Sequence, residues 1–199
     1  MDNALLFIPD ISGFTRFMTG TALEHSQIII TRLLEGLIRE NRLGFKVAEV
    51  EGDAVLFYRE GPPPTFARVL KQSKSMFMAF HRQVVEMKSQ SNCDCEACTN
   101  ILNLTLKFVA HYGESKEVSI MDFTKIMGSG VILAHRLLKN DVPSKEYLLA
   151  TDDYIHSQPE QPVKGEDWAS FETTSAVYEN FGEVRSSYIN FSPLLAVAG

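Results

Sequence analysis

The stretch ALLFIPDISGFT, residues 4–15, places an apolar run directly before a Ser-Gly turn. The run Ala4–Ile11 is short and rich in branched side chains, which is typical of a buried β-strand. Asp10 is the one charge in this run and lies near its end. A carboxylate at that position either helps to form the turn or offers oxygen ligands to a cation. Spacing alone leaves both interpretations open.

A second carboxylate of the same kind follows in a predicted hairpin. Phe45–Glu51 and Ala54–Tyr58 predict two short strands about a tight Gly52-Asp53 corner. In a ferredoxin-like sheet the first strand and this hairpin lie side by side, so Asp10 and Asp53 would occupy adjacent strand ends. Two carboxylates placed in this way could share one or two Mg²⁺ ions and support displacement chemistry at a triphosphate.

The hydrophobic periodicity of the remaining chain predicts an α+β protein. The order of predicted elements contains a ferredoxin-like βαββαβ core with additions at its C-terminal end, and residues 1–199 are expected to form a single domain. Apolar residues at helical spacing predict helices around 29–38, 66–87 and 130–138, and short apolar runs predict strands at 102–111, 147–151, 168–178 and 184–191.

Composition excludes several classes of function. The chain has a net charge of -6 and no Lys/Arg-rich run, which argues against binding to nucleic acid or to an anionic membrane. No apolar stretch approaches the roughly 20 residues that span a bilayer, and the first residues lack the basic region of a signal peptide. Three cysteines are too few for a disulfide framework. Together these features predict a cytoplasmic protein.

Four stretches of the chain carry recognisable motifs: FIPDISGFT (7–15), EVEGDA (49–54), LKFVAHYG (106–113) and a G-x-x-V-x-x-A-x-R-L pattern at 128–137. They resemble the signatures of the class III nucleotidyl (adenylate/guanylate) cyclase catalytic domains. They follow one another in the family's order and span nearly the whole chain, so the resemblance implies that family's fold. The chain most resembles a little-characterised bacterial branch with a Cys-x-Cys-x-x-Cys insertion, here at about 89–100.

This resemblance implies a metal-dependent reaction. Asp10 and Asp53 would bind two Mg²⁺ or Mn²⁺ ions with help from the Ile11 carbonyl. The reaction would convert a nucleoside triphosphate to a 3′,5′-cyclic nucleotide and pyrophosphate. Phe14 and Thr15 would start the turn beneath the triphosphate, where backbone amides bind phosphate.

The resemblance also implies a catalytic arginine and a partner chain. Arg136 would stabilise the charge that develops at the transferring phosphorus. Because sites in this family form between two chains, the resemblance implies a head-to-tail homodimer with sites at the interface.

Two positions expected to read the base carry exchanged charges. The family's adenine-reading Lys and Asp are replaced here by Glu49 and Lys125, although Asp122 could take the second position. A carboxylate suits the N1–H and exocyclic amine of guanine and an ammonium suits its O6, which favours GTP over ATP. The alternative is an ion pair between Glu49 and Lys125 that reads no base.

Two further departures concern catalysis itself. Ile132 stands where the family has an Asn that orients the ribose, and an apolar side chain donates no hydrogen bond. Glu179 is nearest to the position of a phosphate-binding Lys, for which Arg185 or Lys164 could substitute. The alternative function is therefore a catalytically degenerate homologue that acts as a nucleotide-binding or dimeric interaction module.

The cysteines form the compact motif Cys93-x-Cys95-x-x-Cys98. Three thiolates and a fourth ligand can hold a structural Zn²⁺ tetrahedrally, and His81, His111 or a residue of a partner chain could be that ligand. Free thiols in a surface loop are the alternative.

Overall fold

The computed structural model describes residues 2–20, 23–93, 95–158 and 168–197, and a seven-stranded sheet of order β2-β3-β1-β4-β7-β9-β8 forms its centre. A separate hairpin pairs β5 with β6. The strands are β1 Asn3–Ser12, β2 Lys46–Glu51, β3 Ala54–Glu60, β4 Thr105–Glu114, β5 Lys116–Ile120, β6 Phe123–Met127, β7 Tyr147–Thr151, β8 Phe171–Tyr178 and β9 Gly182–Asn190. The helices are α1 Phe14–Thr19, α2 Leu23–Arg39, α3 Phe66–Gln90, α4 Glu96–Asn100, α5 Ser129–Arg136, α6 Asp152–His156 and α7 Pro193–Val197.

The first four strands have the predicted ferredoxin-like arrangement. β1 lies between β3 and β4 and is antiparallel to both, while β2 is the outer strand of the hairpin. The only parallel pair, among the strands that the structure describes, joins β4 to β7. β7, β9 and β8 extend the sheet beyond this core, so the predicted α+β class and the C-terminal additions are confirmed.

Helices α2 and α3 cover one face of the sheet. Alternate side chains of β1 point toward them because successive residues of a strand face opposite sides. The Phe7 ring stacks between Phe45 and Phe108, with ring centroids 5.4 and 5.7 Å away. Phe77 and Phe80 of α3 join the same core and are almost completely buried.

The other face of the sheet is covered by α5 and the β5–β6 hairpin. Leu6 and Ile8 of β1 pack there with Ile126 and Ala134. Helix α5 approaches β4 so closely that a Cβ atom at Gly130 would lie 2.9 Å from the Glu114 carbonyl oxygen. This contact explains why a glycine stands at that point of the helix.

The β5–β6 hairpin and α1 were missed by the sequence prediction. Strand β4 also begins at Thr105 rather than at 102, because Ile101–Asn103 forms a single 3₁₀ turn. The described helices include none with the length and apolar character needed to cross a bilayer.

Candidate active site

Asp10 and Asp53 lie side by side at the ends of neighbouring strands. Asp10 pairs with Ala54 in the β1–β3 register, and the backbone N–H of Ile11 donates to the Asp53 carbonyl at 2.9 Å. Asp10 is 8% exposed and Asp53 is half-buried. Burial first, and then the nearby Asp10 carboxylate, raises the pKa of Asp53. The two carboxylates therefore repel each other at a position partly shielded from solvent, where a divalent cation would relieve the repulsion.

Lys107 supplies one positive charge to this pair of carboxylates. It is the β4 residue opposite Asp10, and its Nζ lies 3.0 Å from the Asp10 carboxylate. Nζ also donates to the Leu138 carbonyl at 3.0 Å. The sequence showed Lys107 only as a charge interrupting an apolar strand. In the sequence, Lys107 stands between the apolar residues Leu106 and Phe108. This alternation was the available signal that its side chain points to the same face of the sheet as that of Asp10.

The turn after β1 brings α1 against the β2–β3 corner. Gly13 has φ 90° and precedes α1, whose first intrahelical bond runs from the Phe17 N–H to the Gly13 carbonyl at 3.0 Å. The amides of Phe14 and Thr15 precede that bond and are not used by the helix. The Phe14 ring lies over Gly52, where an added Cβ would be 3.6 Å from the ring.

Glu49 and Lys125 are in contact, as the ion-pair alternative requires. Lys125 Nζ lies 3.0 Å from Glu49 Oε1, and the Lys125 side chain is about half exposed. Glu49 also shares a hydrogen bond with Glu51, which lowers the pKa of Glu49 and raises that of Glu51. His135, a residue without an assigned role in the sequence, joins this group with Nδ1 3.9 Å from Glu51.

Arg136 is held by the β8–β9 turn of its own chain. Its guanidinium donates to the Glu179 carbonyl and lies 5.5 Å from the centroid of the Phe181 ring. Ile132, one turn earlier on α5, is 53% exposed. The Arg185 guanidinium lies 3.7 Å from Glu183, and Lys164 lies outside the described residues.

The three cysteines meet His25 of α2. Candidate ligand atoms of Cys93, Cys95, Cys98 and His25 all lie within 4.8 Å of one another. Sequence reasoning missed His25 and named His81 and His111 instead. The structure places neither of those at the cysteines.

His81 and His111 have other partners. His81 Nε2 lies 2.9 Å from Glu146 Oε1, and its ring packs edge-on against Phe77. His111 is 2% exposed in β4, with Nδ1 2.9 Å from the Thr151 hydroxyl. Burial lowers the pKa of His111 to about 4, and Asp153 only partly opposes this effect.

His111 makes the stability of the fold sensitive to acid. The folded state keeps it neutral while the unfolded chain protonates it near pH 6.5, so stability is complete above that pH and is lost as the pH falls toward about 4. Lowering the pH from 7.5 to 5 should remove about 2 kcal/mol of unfolding free energy through His111 alone. Urea denaturation of the wild type and His111→Gln at both pH values measures it. Equal pH dependence in the two proteins would contradict the assignment.

Comparison with known proteins places the chain in a family. Residues 30–147 match the family described as Protein of unknown function (DUF2652). The chain is also 34% identical over 163 residues to the Uncharacterized protein Rv2561/Rv2562 of Mycobacterium tuberculosis (strain ATCC 25618 / H37Rv), an alignment that covers 82% of this chain and 74% of that protein.

Solved structures share the fold at low sequence identity. The adenylyl cyclase CyaB from P. aeruginosa has a TM-score of 0.66 at 16% identity, covering 96% of this chain and 95% of its own. The guanylyl cyclase Cya2 has a TM-score of 0.67 at 12% identity, with 94% and 91% covered. The guanylate cyclase domain of RhGC from Catenaria anguillulae, solved in complex with GTP, has a TM-score of 0.60 at 13% identity, with 96% and 98% covered. The chain belongs to the DUF2652 family, and its fold is that of the adenylyl and guanylyl cyclase catalytic domains.

Proposed function

We propose that this protein is a metal-dependent nucleotidyl cyclase, which converts a nucleoside triphosphate to a 3′,5′-cyclic nucleotide and pyrophosphate. The observation that carries the proposal is the pair of carboxylates at adjacent strand ends, Asp10 and Asp53, with the pKa of Asp53 raised by burial and by Asp10. A purely structural turn gains nothing from two neighbouring acids that repel each other. A cation-binding site requires them.

The donor set fits Mg²⁺ or Mn²⁺. Both ions prefer hard oxygen ligands, and Asp10, Asp53 and the Ile11 carbonyl supply oxygens only. Two such ions, when bound, would neutralise the triphosphate and favour ionisation of the attacking 3′-hydroxyl. Lys107 keeps the Asp10 carboxylate in one orientation through the 3.0 Å contact, so this ligand is already positioned before a nucleotide arrives.

Residues of the chain itself bind and orient the substrate in this proposal. The amides of Phe14 and Thr15 would donate to phosphate oxygens because α1 does not use them. Arg136 would leave the Glu179 carbonyl and stabilise negative charge at the reacting phosphorus.

The same proposal includes a homodimer with sites at the interface. The resemblance to the cyclases implies sites built from two chains, and this chain exposes apolar side chains on the face that carries α5 and the β5–β6 hairpin. Met121, Phe123 and Ile132 are 92%, 76% and 53% exposed. Side chains of this kind suit burial against a second copy.

GTP is the proposed substrate. The Glu49 carboxylate can accept from guanine N1–H and from its exocyclic amine, and Lys125 can donate to O6. Because Lys125 is about half exposed, opening its ion pair with Glu49 costs little.

A second candidate function is a catalytically degenerate homologue that binds nucleotide or a partner without turnover. Three observations favour it. Ile132 offers no donor to the ribose, Arg136 is bound to a carbonyl of its own chain, and Glu49 is already paired with Lys125.

Product analysis by mass spectrometry separates the two candidates. Purified protein is incubated with Mn²⁺ and, in turn, ATP, GTP, CTP and UTP, beside an Asp10→Ala/Asp53→Ala variant. We expect cyclic GMP from the wild type and none from the variant. Absence of any cyclic product from a folded wild-type dimer would reject the cyclase, whereas a preference for ATP would reject only the role given to Glu49 and Lys125.

A further inference from the structure

The cysteine segment, residues 91–93 and 95–100, meets the first turn of α2 at a cluster of four potential metal ligands. His25 Nδ1 lies 3.2 Å from the Cys95 sulfur, 3.6 Å from that of Cys93 and 3.9 Å from that of Cys98. His25 is separated from the cysteines by about 70 residues of chain, including all of α3. The fold, rather than local sequence, therefore assembles the cluster.

These distances match the edges of a zinc tetrahedron. Zn–S bonds of about 2.3 Å and Zn–N bonds of about 2.0–2.1 Å at tetrahedral angles put nitrogen and sulfur about 3.6 Å apart. The three observed nitrogen–sulfur distances lie on both sides of this value. Three sulfurs and one imidazole form a Cys₃His donor set, which is one of the usual sets of structural zinc sites.

Backbone amides of the cysteine segment point at the sulfurs. The Cys95 N–H donates to the Cys93 sulfur at 3.4 Å. Such N–H···S bonds stabilise thiolate, the form of cysteine that binds a metal. The N–H of Cys95 is thus placed to stabilise a thiolate at Cys93.

We propose that Cys93, Cys95, Cys98 and His25 Nδ1 bind one structural Zn²⁺ ion. Four protein ligands complete the tetrahedron and leave no position for water, so the ion takes no part in catalysis. It ties the start of α2 to the chain that follows α3. The metal bonds would add to the apolar packing of Ala97 and Ile101, which already lie in the same core as Ile29 of α2.

Metal analysis tests this assignment. Wild-type protein is produced with added zinc and desalted. Inductively coupled plasma mass spectrometry should then find about one zinc ion per chain. His25→Ala and Cys95→Ser should lose it. His156→Ala is the matched control, because His156 is exposed and remote from the cluster, and it should keep the zinc. His25→Cys should also keep it, since a fourth thiolate completes a Cys₄ site.

A second measurement uses only the wild-type protein, so it tests the zinc site even if His25→Ala fails to fold. Wild-type protein is stripped with a chelator and titrated with Co²⁺, which should give the sulfur-to-cobalt charge-transfer band and the intense visible bands of a tetrahedral site. The thiols should react quickly with a thiol reagent in the stripped protein and slowly in the zinc-loaded one. Zinc-supplied wild type without bound metal and without a cobalt spectrum would overturn the proposal. A mass lower by two hydrogens, which marks a disulfide between two of the cysteines, would overturn it as well.

Discussion

Replacing Lys107 with methionine is expected to lower the free energy of unfolding by about 3–5 kcal/mol, because it leaves the Asp10 carboxylate buried without its partner. The Lys107 and Asp10 side chains are only 18% and 12% exposed, so water does little to replace the lost ammonium. The alkyl stem of lysine is kept by methionine, which limits the loss of packing. Urea denaturation at neutral pH without added Mg²⁺ or Mn²⁺, followed by the fluorescence of Trp168, measures the change.

A double-mutant cycle isolates the ion pair in this prediction. Lys107→Met/Asp10→Asn should recover much of the lost stability, since no uncompensated charge remains. Lys116→Met is the matched control, because its contact with Asp2 is 3.6 Å long and both side chains are largely exposed, and it should change stability by less than about 0.5 kcal/mol. Equal destabilisation in the Lys107 single and double variants would show that packing, and not charge, explains the effect.

The sequence predicted the elements whose side chains face the main core. Strand β1, strand β3 and α3 carry long apolar patterns because each buries one or two full faces. The β5–β6 hairpin carries no such pattern. Ile126 is its one buried apolar residue, while Phe123 and Met121 at its tip are exposed. A hairpin that contributes so little to the core leaves almost no periodic signal.

Candidate site residues were predictable where they lie close in sequence to a turn or at positions that the resemblance to the cyclases assigns. Asp10 and Asp53 each stand beside a glycine corner, and both were found in this way. Lys107 and His25 act through contacts across the fold, one with a neighbouring strand and one with a segment about 70 residues away. His25 lies in no motif, and Lys107 lies in the stretch 106–113 without a role that the resemblance assigns to it, so the sheet register and the packing of α2 had to be known first.

Glu51 illustrates how the structure changes the meaning of a sequence pattern. Glu49 and Glu51 alternate on β2 and therefore share one face, where they form a hydrogen bond and meet His135. In the proposed function, a base entering this site would compete with Lys125 and with Glu51 for the Glu49 carboxylate. The proposed preference for guanine would therefore depend on Glu51 and His135 as well as on Glu49 and Lys125.

Replacing Ile132 with asparagine is expected to raise the rate of cyclic nucleotide formation by as much as about 10²–10³, the usual value of one positioned hydrogen-bond donor in a transition state. Ile132 is 53% exposed on α5, so the exchange leaves the core intact. Initial rates of cyclic GMP formation with Mn²⁺, for wild type, Ile132→Asn and the control Ile132→Ala, measure the effect. Similar rates in the two variants would mean that this position does not reach the ribose. No product from Ile132→Asn, in a protein that still binds GTP and Mn²⁺, would favour the binding module. The missing hydrogen-bond donor at position 132 is the best explanation of a slow cyclase, and restoring it would then have had no effect.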